Sequence, residues 1–255
     1  MNRQAQAVIM LLFGGAILRA TVTDMFLRYV KEGLRPLLLV AGALLVAAAV
    51  MTLWYDLRSA RPAGKDGDQD GEHAGEHDDA QDDGHGHKHH EPRIGWLLIL
   101  PVLGLLLVAP PALGSYAAGQ AGTVLTAQNS ASDYPPLPAG DPAPISLLDY
   151  ASRAVFDSGK SLTGRNLMLT GFVTPGPDGQ PMLARIVLTC CAADGRPIKV
   201  GLTGGTPVTV ADDTWVKVIG VYSSRTEKDS VNKATVPYLE VQSWQEITAP
   251  KQPYE

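Results

Sequence analysis

The sequence predicts an α-helical membrane region of three spans, followed by a small all-β domain, an OB-like barrel with one preceding helix. Two observations predict this fold class. Three strongly apolar segments lie within residues 1–116, and segments of such length can cross the roughly 30 Å hydrocarbon core of a bilayer. From residue 165 onward the apolar residues recur instead with the period of two that is typical of β-strands.

Residues 34–55 and 94–116 are the clearest predicted spans. The earlier segment has about eighteen uncharged residues and ends at Trp54 and Tyr55, where an interfacial aromatic belt would lie. The later segment carries no charge, and Pro101 is expected to kink its helix without preventing it. We therefore assign residues 94–116 to a third transmembrane helix.

The first predicted span covers about residues 7–26 and is interrupted by Arg19. It crosses the membrane if Arg19 faces a partner helix or reaches the interface. The alternative is an uncleaved signal-like anchor or a re-entrant segment. With the crossing interpretation, residues 1–56 contain two transmembrane helices.

Residues 57–93 form an acidic, histidine-rich loop between the second and third predicted spans. Its central part, residues 65–91, has ten carboxylates and no large apolar residue, a composition that predicts disorder. Imidazoles among carboxylates suit zinc, copper or nickel. We predict weak, multi-site binding of zinc or another divalent transition metal, and the alternative is a solvated acidic spacer. The candidate ligands are His73, His77, His85, His87, His89 and His90.

The distribution of basic residues predicts the orientation in the membrane. Residues 94–152 contain no Lys or Arg, as expected of an exported segment. The prediction is a multi-pass protein of the cytoplasmic membrane, embedded in the lipid bilayer, with the histidine-rich loop inside and the C-terminal domain outside. If the first segment does not cross, both assignments reverse.

Residues 117–144 are rich in Pro, Ala and Gly and predict an extended tether. The domain at residues 145–255 then begins with a helix. Ser146 and Asp149 have the spacing of a capping box, in which a side chain at each position binds a free backbone N–H of the first turn. Gly159 is placed to end this helix in the left-handed conformation.

Five strands are predicted after this helix. Glycines within them, Gly171 and Gly220, indicate the bends of a small closed barrel. Other small β-barrels and sandwiches fit the same pattern. The predicted strands are residues 167–174, 182–192, 198–203, 215–223 and 236–247.

Charge and composition exclude two function classes for this domain. Residues 145–255 hold eleven acidic and eleven basic side chains, and the aromatic residues are not interleaved with basic clusters, which argues against nucleic acid as a partner. No histidine lies outside the loop at residues 57–93 to act as a base. We therefore predict that the protein is not an enzyme.

Cys190 and Cys191 are the two cysteines of the chain, and they are adjacent. In a strand their side chains would point to opposite faces. One interpretation is that both are small buried residues of a barrel strand, with Cys190 in the core. A vicinal disulfide would be strained, because adjacent Cα atoms lie about 3.8 Å apart. A thiolate metal site would use Cys191 with Asp194. A thiol-exchange enzyme would more naturally use a C-x-x-C motif, which is absent.

Residues 189–194, Thr-Cys-Cys-Ala-Ala-Asp, resemble the C-C-x-A-D signature of the YcgQ-like family of uncharacterised bacterial membrane proteins. The later Trp-Val-Lys-Val-Ile-Gly-Val at 215–221, the terminus at 250–255 and the layout of the segments are similar too. The resemblance implies a subunit of a two-component permease that works beside a larger polytopic permease. It carries over no catalytic residues. The positions that match its signature are Cys190, Cys191 and Asp194.

The favoured hypothesis is an accessory membrane subunit of a two-component permease that handles a divalent metal such as zinc. One alternative is a metal-buffering membrane protein with no role in transport. A second is a redox protein that uses the vicinal thiols, and a third is a purely structural anchor. A polytopic permease that co-purifies with the protein would favour the first hypothesis.

Overall fold

The computed structural model describes residues 3–59, 104, 111–125 and 134–255. The chain divides into two compact units, each of which is discontinuous in sequence. The helical unit comprises Met1–Arg19 and Leu38–Pro110, and the barrel unit comprises Ala20–Leu37 and Pro111–Glu255.

The helical unit is formed by helix α1 (Arg3–Val22) up to Arg19 and helix α2 (Arg35–Ser59) from Leu38. The two helices pack closely at Gly14 and Gly42. A Cβ atom added to either glycine would lie 2.9 Å from a side chain of the other helix. Small residues at such a contact let helix backbones approach, which is typical of helices that associate in a membrane.

One helix of the described residues, Glu32–Arg58, is long and apolar enough to cross a membrane, and Gln6–Val22 is a shorter apolar helix. A helix like Glu32–Arg58 near the N-terminus fits a membrane span and a signal sequence alike. The predicted first span ends too late. Helix α1 stops at Val22, since Asp24 has a left-handed backbone with φ of 58°, and Phe26 is buried in the barrel unit.

Two predictions fall largely outside the described residues. The histidine-rich loop lies there beyond the end of α2 at Ser59, together with all six histidines. The third predicted span, residues 94–116, is described only at residues 104 and 111–116. Residues 111–116 belong to the barrel unit, where Ser115 begins the short helix α3 (Ser115–Gln120).

The described parts of the predicted tether, residues 117–125 and 134–144, pack on the barrel instead of extending freely. Thr123 is buried and its backbone N–H donates to Asp229, at 3.1 Å. Its hydroxyl accepts a hydrogen bond from the backbone of Lys199, at 3.0 Å. The composition suggested a tether because these partners lie more than seventy residues away in the sequence.

Helix α4 (Leu147–Phe156) is the helix that the sequence predicts before the strands. The Ser146 hydroxyl accepts a hydrogen bond from the Asp149 N–H at 3.0 Å, as the capping pattern requires. Gly159 has the left-handed backbone expected after the helix, with φ of 70°. The buried Arg153 was not foreseen, and its guanidinium donates to Asp149 at 2.8 Å.

The strands after α4 form a closed five-stranded barrel, which confirms the predicted small barrel with one preceding helix. The barrel strands are β2 (Leu167–Pro175), β3 (Pro181–Val187), β4 (Arg196–Thr203), β5 (Trp215–Lys228) and β6 (Thr235–Glu246), and the short strand β1 (Ala143–Pro144) adds to the edge of β2. Around the barrel the order is β2-β3-β4-β6-β5, and β5 pairs again with β2. The β4–β6 pair is parallel, while the other four pairs of the barrel are antiparallel.

Apolar residues that alternate along these strands fill the barrel. Leu169 of β2 lies opposite Val218 of β5, and both are fully buried. At Gly220 a Cβ atom would lie 2.3 Å from the backbone oxygen of Glu240, so only glycine allows the strands to approach there. The register also shifts at this glycine, and such a bulge bends the strand as the predicted barrel requires.

Candidate functional site

Strand β3 ends at Val187, five residues earlier than predicted, and the cysteines lie in the loop that follows it. Leu188 is the last buried residue before this loop. Cys190 is exposed and Cys191 is half-buried. The prediction that both cysteines lie in a strand over residues 182–192 is therefore wrong, and the exposure of Cys190 rules out the interpretation that it fills the barrel core.

The side chain of Asp194 explains why the strand stops. Its Oδ1 accepts a hydrogen bond from the N–H of Thr189 at 3.1 Å, and its Oδ2 accepts one from the N–H of Cys190 at 2.8 Å. The carboxylate thus takes the backbone donors that a neighbouring strand would otherwise bind. The Asp194 N–H in turn donates to the Cys191 carbonyl at 3.0 Å, which closes the loop.

Cys190, Cys191 and Asp194 form a cluster with the chemistry of a metal site. One ligand atom from each residue lies within 4.8 Å of the others. Both cysteines are free thiols, and their Sγ atoms are 3.7 Å apart. A tetrahedral zinc ion with zinc–sulfur bonds of about 2.3 Å holds two sulfurs about 3.8 Å apart. The separation of the two sulfurs therefore fits a zinc-type cation.

A hydrogen bond joins one thiol of the cluster to the carboxylate. The Cys190 thiol donates to Asp194 Oδ2 at 3.0 Å. This hydrogen bond, followed by the contact with Cys191, raises the pKa of Cys190 to about 11, and it lowers the pKa of Asp194. Without a cation, the carboxylate is ionised and the Cys190 thiol is protonated at neutral pH. A coordinated divalent cation displaces such a thiol proton.

The cysteine loop is hydrogen-bonded to the connection between α1 and α2. Residues 28–31 of this connection form a segment that we call the strap. Val30 and Cys191 form an antiparallel bridge. The Lys31 N–H donates to the Cys190 carbonyl at 3.1 Å, and the Ala192 N–H donates to the Tyr29 carbonyl at 2.7 Å. The strap residues Tyr29 and Lys31 therefore help to hold the loop that carries the cluster, in addition to the barrel itself.

Tyr254 and Glu255 hold the same assembly from the C-terminal side. The Tyr254 hydroxyl donates to the carbonyl of Arg28 at 2.7 Å and accepts from the N–H of Leu113 at 2.9 Å. The Glu255 carboxylate accepts two N–H groups of the first turn of α4, each at 3.0 Å. An acidic group at this end of a helix is also favoured by the helix dipole. In the sequence these two residues stand out only as part of the terminus at 250–255 that carries the resemblance.

A second polar cluster, which the sequence analysis missed, lies inside the barrel unit. Lys199 and Asp229 are 7% and 3% exposed, and the Lys199 ammonium contacts Asp229 Oδ2 at 3.0 Å. The same ammonium donates to the Ala121 carbonyl at 3.0 Å, and the second Asp229 oxygen accepts from the N–H of Val231 at 2.8 Å. No local sequence pattern pairs residues thirty positions apart. The contacts make this cluster structural.

The structure thus brings together three of the predicted site residues, Cys190, Cys191 and Asp194. The six loop histidines lie outside the described residues. Their metal binding stays a prediction, and so does the metal role of the cluster.

Comparison with protein families matches the C-terminal part of the chain. Residues 153–255 match a protein family described as the DUF1980 C-terminal domain, whose function is uncharacterised. The matched region contains strands β2 to β6, the cysteine loop and the C-terminal Tyr254 and Glu255. No curated protein and no solved structure matches the chain.

Proposed function

We propose that this protein is an accessory membrane subunit that presents a divalent-metal site on the extracytoplasmic side, beside a polytopic permease. The observation that carries this proposal is the cluster of Cys190, Cys191 and Asp194, whose ligand atoms lie within 4.8 Å on an exposed loop. We infer further that the barrel is of the OB-like type. It serves as the rigid support of the loop.

The ligand set favours zinc among the common divalent cations. Two thiolates are soft ligands that select zinc over calcium or magnesium, and one carboxylate completes a set of three. Structural zinc sites use four protein ligands, whereas sites that exchange a ligand keep one position open. With three ligands on an exposed loop, the site is suited to receive and release a cation rather than to hold it permanently.

The place of the strap in the sequence bears on which side of the membrane this site lies. Lys31 immediately precedes the candidate span Glu32–Arg58 and pairs with Cys190, so the barrel and the strap lie on one side. A chain that crosses in α2 must cross again before residue 111 to return there. Because a chain that returns to the same side has crossed an even number of times, this argument supports a further span within residues 94–110. The absence of Lys and Arg from residues 94–152 supports an extracytoplasmic barrel.

The partner is proposed from the resemblance and from the small membrane region. Three spans with few polar residues do not line a pathway for a cation by themselves. Leu37 and Leu44 of α2 are more than 60% exposed, and a polytopic permease would offer apolar helices to cover them. The histidine-rich loop at residues 57–93 would then bind the same metal on the cytoplasmic side.

The alternatives differ in what the cysteines do. A redox protein needs a reactive thiolate, and the hydrogen bond to Asp194 that raises the pKa of Cys190 disfavours one. A metal-buffering protein would use the same cluster without a permease. Co-purification of a polytopic permease with the intact chain favours the accessory subunit over the buffer.

Cobalt substitution tests the metal site in the full-length protein. We expect Co²⁺ to produce a thiolate-to-cobalt charge-transfer band in the near ultraviolet, which histidine and carboxylate ligands do not produce. The band should disappear in Cys190→Ser and in Cys191→Ser, and Asp194→Asn should weaken cobalt binding at least tenfold. Asp212→Asn, at another exposed aspartate, serves as the matched control and should leave the band unchanged.

A parallel variant separates this site from the histidine-rich loop. Changing all six loop histidines to Gln should reduce the number of cobalt ions bound without removing the charge-transfer band. A wild-type protein that binds cobalt but shows no such band, with its thiols reduced, would contradict the proposed site.

A further inference from the structure

A cavity of about 410 Å³ lies in the barrel unit between the α1–α2 connection and the chain segment before the C-terminus. It is distinct from the cysteine cluster, and none of the proposed metal ligands lines it. Its wall combines apolar side chains with two cationic ones and one carboxylate. The residues that matter for its chemistry are Met25, Arg28, Ala112, Trp215, Lys251 and Pro253.

The position of this cavity in the sequence places it where the chain leaves the proposed spans. Thr23 and Met25, which line it, follow the end of α1 at Val22 by one and three residues. Ala112 lies two residues after the proposed further span within residues 94–110. On the proposed membrane placement, both walls are close to the membrane, and the cavity lies at the level of the lipid headgroups.

The charges of the cavity favour an anion. Arg28 and Lys251 are the cations of its wall, and among the described residues neither is part of an ion pair. The carboxylate of the wall belongs to Asp24, which already forms an ion pair with the guanidinium of Arg35 at 3.3 Å, so Arg28 and Lys251 remain for a bound anion. Basic pockets next to membrane helices bind the headgroups of anionic lipids.

The apolar part of the wall favours a lipid over a free anion. Trp215 is held in place by the ring of Phe172, at a centroid distance of 5.7 Å, and by the guanidinium of Arg185 at 5.6 Å. Tryptophan is enriched at the headgroup level of membranes, where its ring is partly apolar and partly polar. Met25 and Ala112 add apolar surface that a free phosphate ion would not use.

We infer that this cavity binds the headgroup of an anionic phospholipid, with Arg28 and Lys251 at the phosphate and Trp215 against the glycerol and the first acyl carbons. The inference rests on the membrane placement proposed above, and it goes beyond the metal site. A lipid bound there would tie the strap, which begins at Arg28, and the C-terminal segment to the membrane surface.

Lipid titration of the full-length protein in an uncharged detergent tests this inference. The probes are short-chain phosphatidylglycerol, short-chain phosphatidylcholine and glycerol 3-phosphate, with binding followed by calorimetry. We expect phosphatidylglycerol to bind and the other two to bind at least tenfold more weakly. The double variant Arg28→Gln and Lys251→Gln should lose at least tenfold in affinity for phosphatidylglycerol. The matched control changes two exposed cations away from the cavity, Lys160→Gln and Arg196→Gln.

Two further results keep the outcome decisive. A photoactivatable phosphatidylglycerol should label the peptide that contains Lys251 in the wild-type protein, which does not depend on any variant folding. Equal binding of glycerol 3-phosphate would overturn the lipid assignment, and unchanged affinity of the Arg28 and Lys251 double variant would overturn the site. The cobalt band is read separately, so a failure here is distinguishable from a failure of the metal site.

Discussion

Asp194 and Asp229 lie in the same unit and accept similar hydrogen bonds, but they stand in opposite environments. Each carboxylate accepts backbone N–H groups and one further donor, the Cys190 thiol for Asp194 and the Lys199 ammonium for Asp229. Asp229 is 3% exposed, whereas Asp194 is half-buried in a surface loop.

The comparison shows how surroundings decide what one residue type does. The oxygens of Asp229 are occupied by the buried N–H of Thr123, the buried Lys199 ammonium and the N–H of Val231, so the carboxylate joins three chain segments and has no free coordination site. Asp194 instead lies beside two soft ligand atoms at the surface, and a cation can displace the thiol proton that it shares. Burial makes Asp229 structural, whereas the position of Asp194 in a surface loop, beside two thiols, leaves it available as a ligand.

Asp229→Asn should produce the largest effect on stability. Removing one partner of a buried ion pair leaves the Lys199 ammonium uncompensated, which costs about 3–5 kcal/mol of unfolding free energy. Chemical unfolding of the full-length protein in detergent, followed by hydrogen exchange of the barrel strands, measures this loss. Asp194→Asn is the paired variant and should change the unfolding free energy by less than about 1 kcal/mol. Equal losses of unfolding free energy in Asp229→Asn and Asp194→Asn would contradict the distinction between a structural and a ligand aspartate.

The buried ion pair of Lys199 and Asp229 also predicts that the protein loses stability at acidic pH. Burial alone would raise the pKa of Asp229, but hydrogen bonds from Val231 and Lys199 lower it below its ordinary value. A carboxyl with a lowered folded pKa stabilises the protein above its ordinary pKa of about 3.9, and the contribution is lost as the pH falls through the folded value. The wild type should therefore lose stability below about pH 4, and Asp229→Asn should lack that part of the loss.

Tyr254→Phe should produce an intermediate effect, and it tests how the strap is held. The change keeps the ring but removes the hydroxyl between Arg28 and Leu113, leaving a backbone group of each without its partner. Such losses cost about 1–3 kcal/mol. Hydrogen exchange should become faster at residues 28–31 and at Leu113, while Tyr222→Phe, at a half-buried tyrosine, should leave both unchanged. Unaltered exchange in Tyr254→Phe would mean that the hydroxyl does not hold the strap.

The smallest effect on stability is expected at the cysteines. Because Cys190 is exposed and Cys191 half-buried, Cys190→Ala and Cys191→Ser should each change the unfolding free energy by less than about 0.5 kcal/mol. Both should nevertheless lose the thiolate-to-cobalt band. A cost above about 1 kcal/mol for Cys190→Ala would restore the interpretation that this cysteine fills a core.

Local sequence patterns predicted the regular elements because their signals lie within a few residues. The pair of Ser146 and Asp149 marked the start of α4, and the alternation after Leu167 and Trp215 marked the start of β2 and β5. The end of β3 was missed because the side chain of Asp194, seven residues beyond Val187, takes the backbone donors. The apolar pattern of a strand gives no information about a later side chain that competes for its backbone donors.

The candidate site was predicted in its residues but not in its setting. The adjacency of Cys190 and Cys191 and the nearby Asp194 were visible in the sequence. The strap was not, because its hydrogen bonds to Cys190 and Ala192 join residues about 160 positions apart. The ion pair of Lys199 was missed for a similar reason, since burial is a property of the whole barrel rather than of either residue.

The strap also has a consequence for the order in which the chain is assembled during synthesis. Its residues leave the ribosome long before Cys190, and 226 residues separate Arg28 from Tyr254. Contacts between such distant residues form late, and N-terminal parts of a chain generally fold first. We therefore expect the hydrogen bonds from the Ala192 N–H to the Tyr29 carbonyl and from the Lys31 N–H to the Cys190 carbonyl to form only after the barrel has been made. During that interval the strap is an open edge on which a chaperone can act.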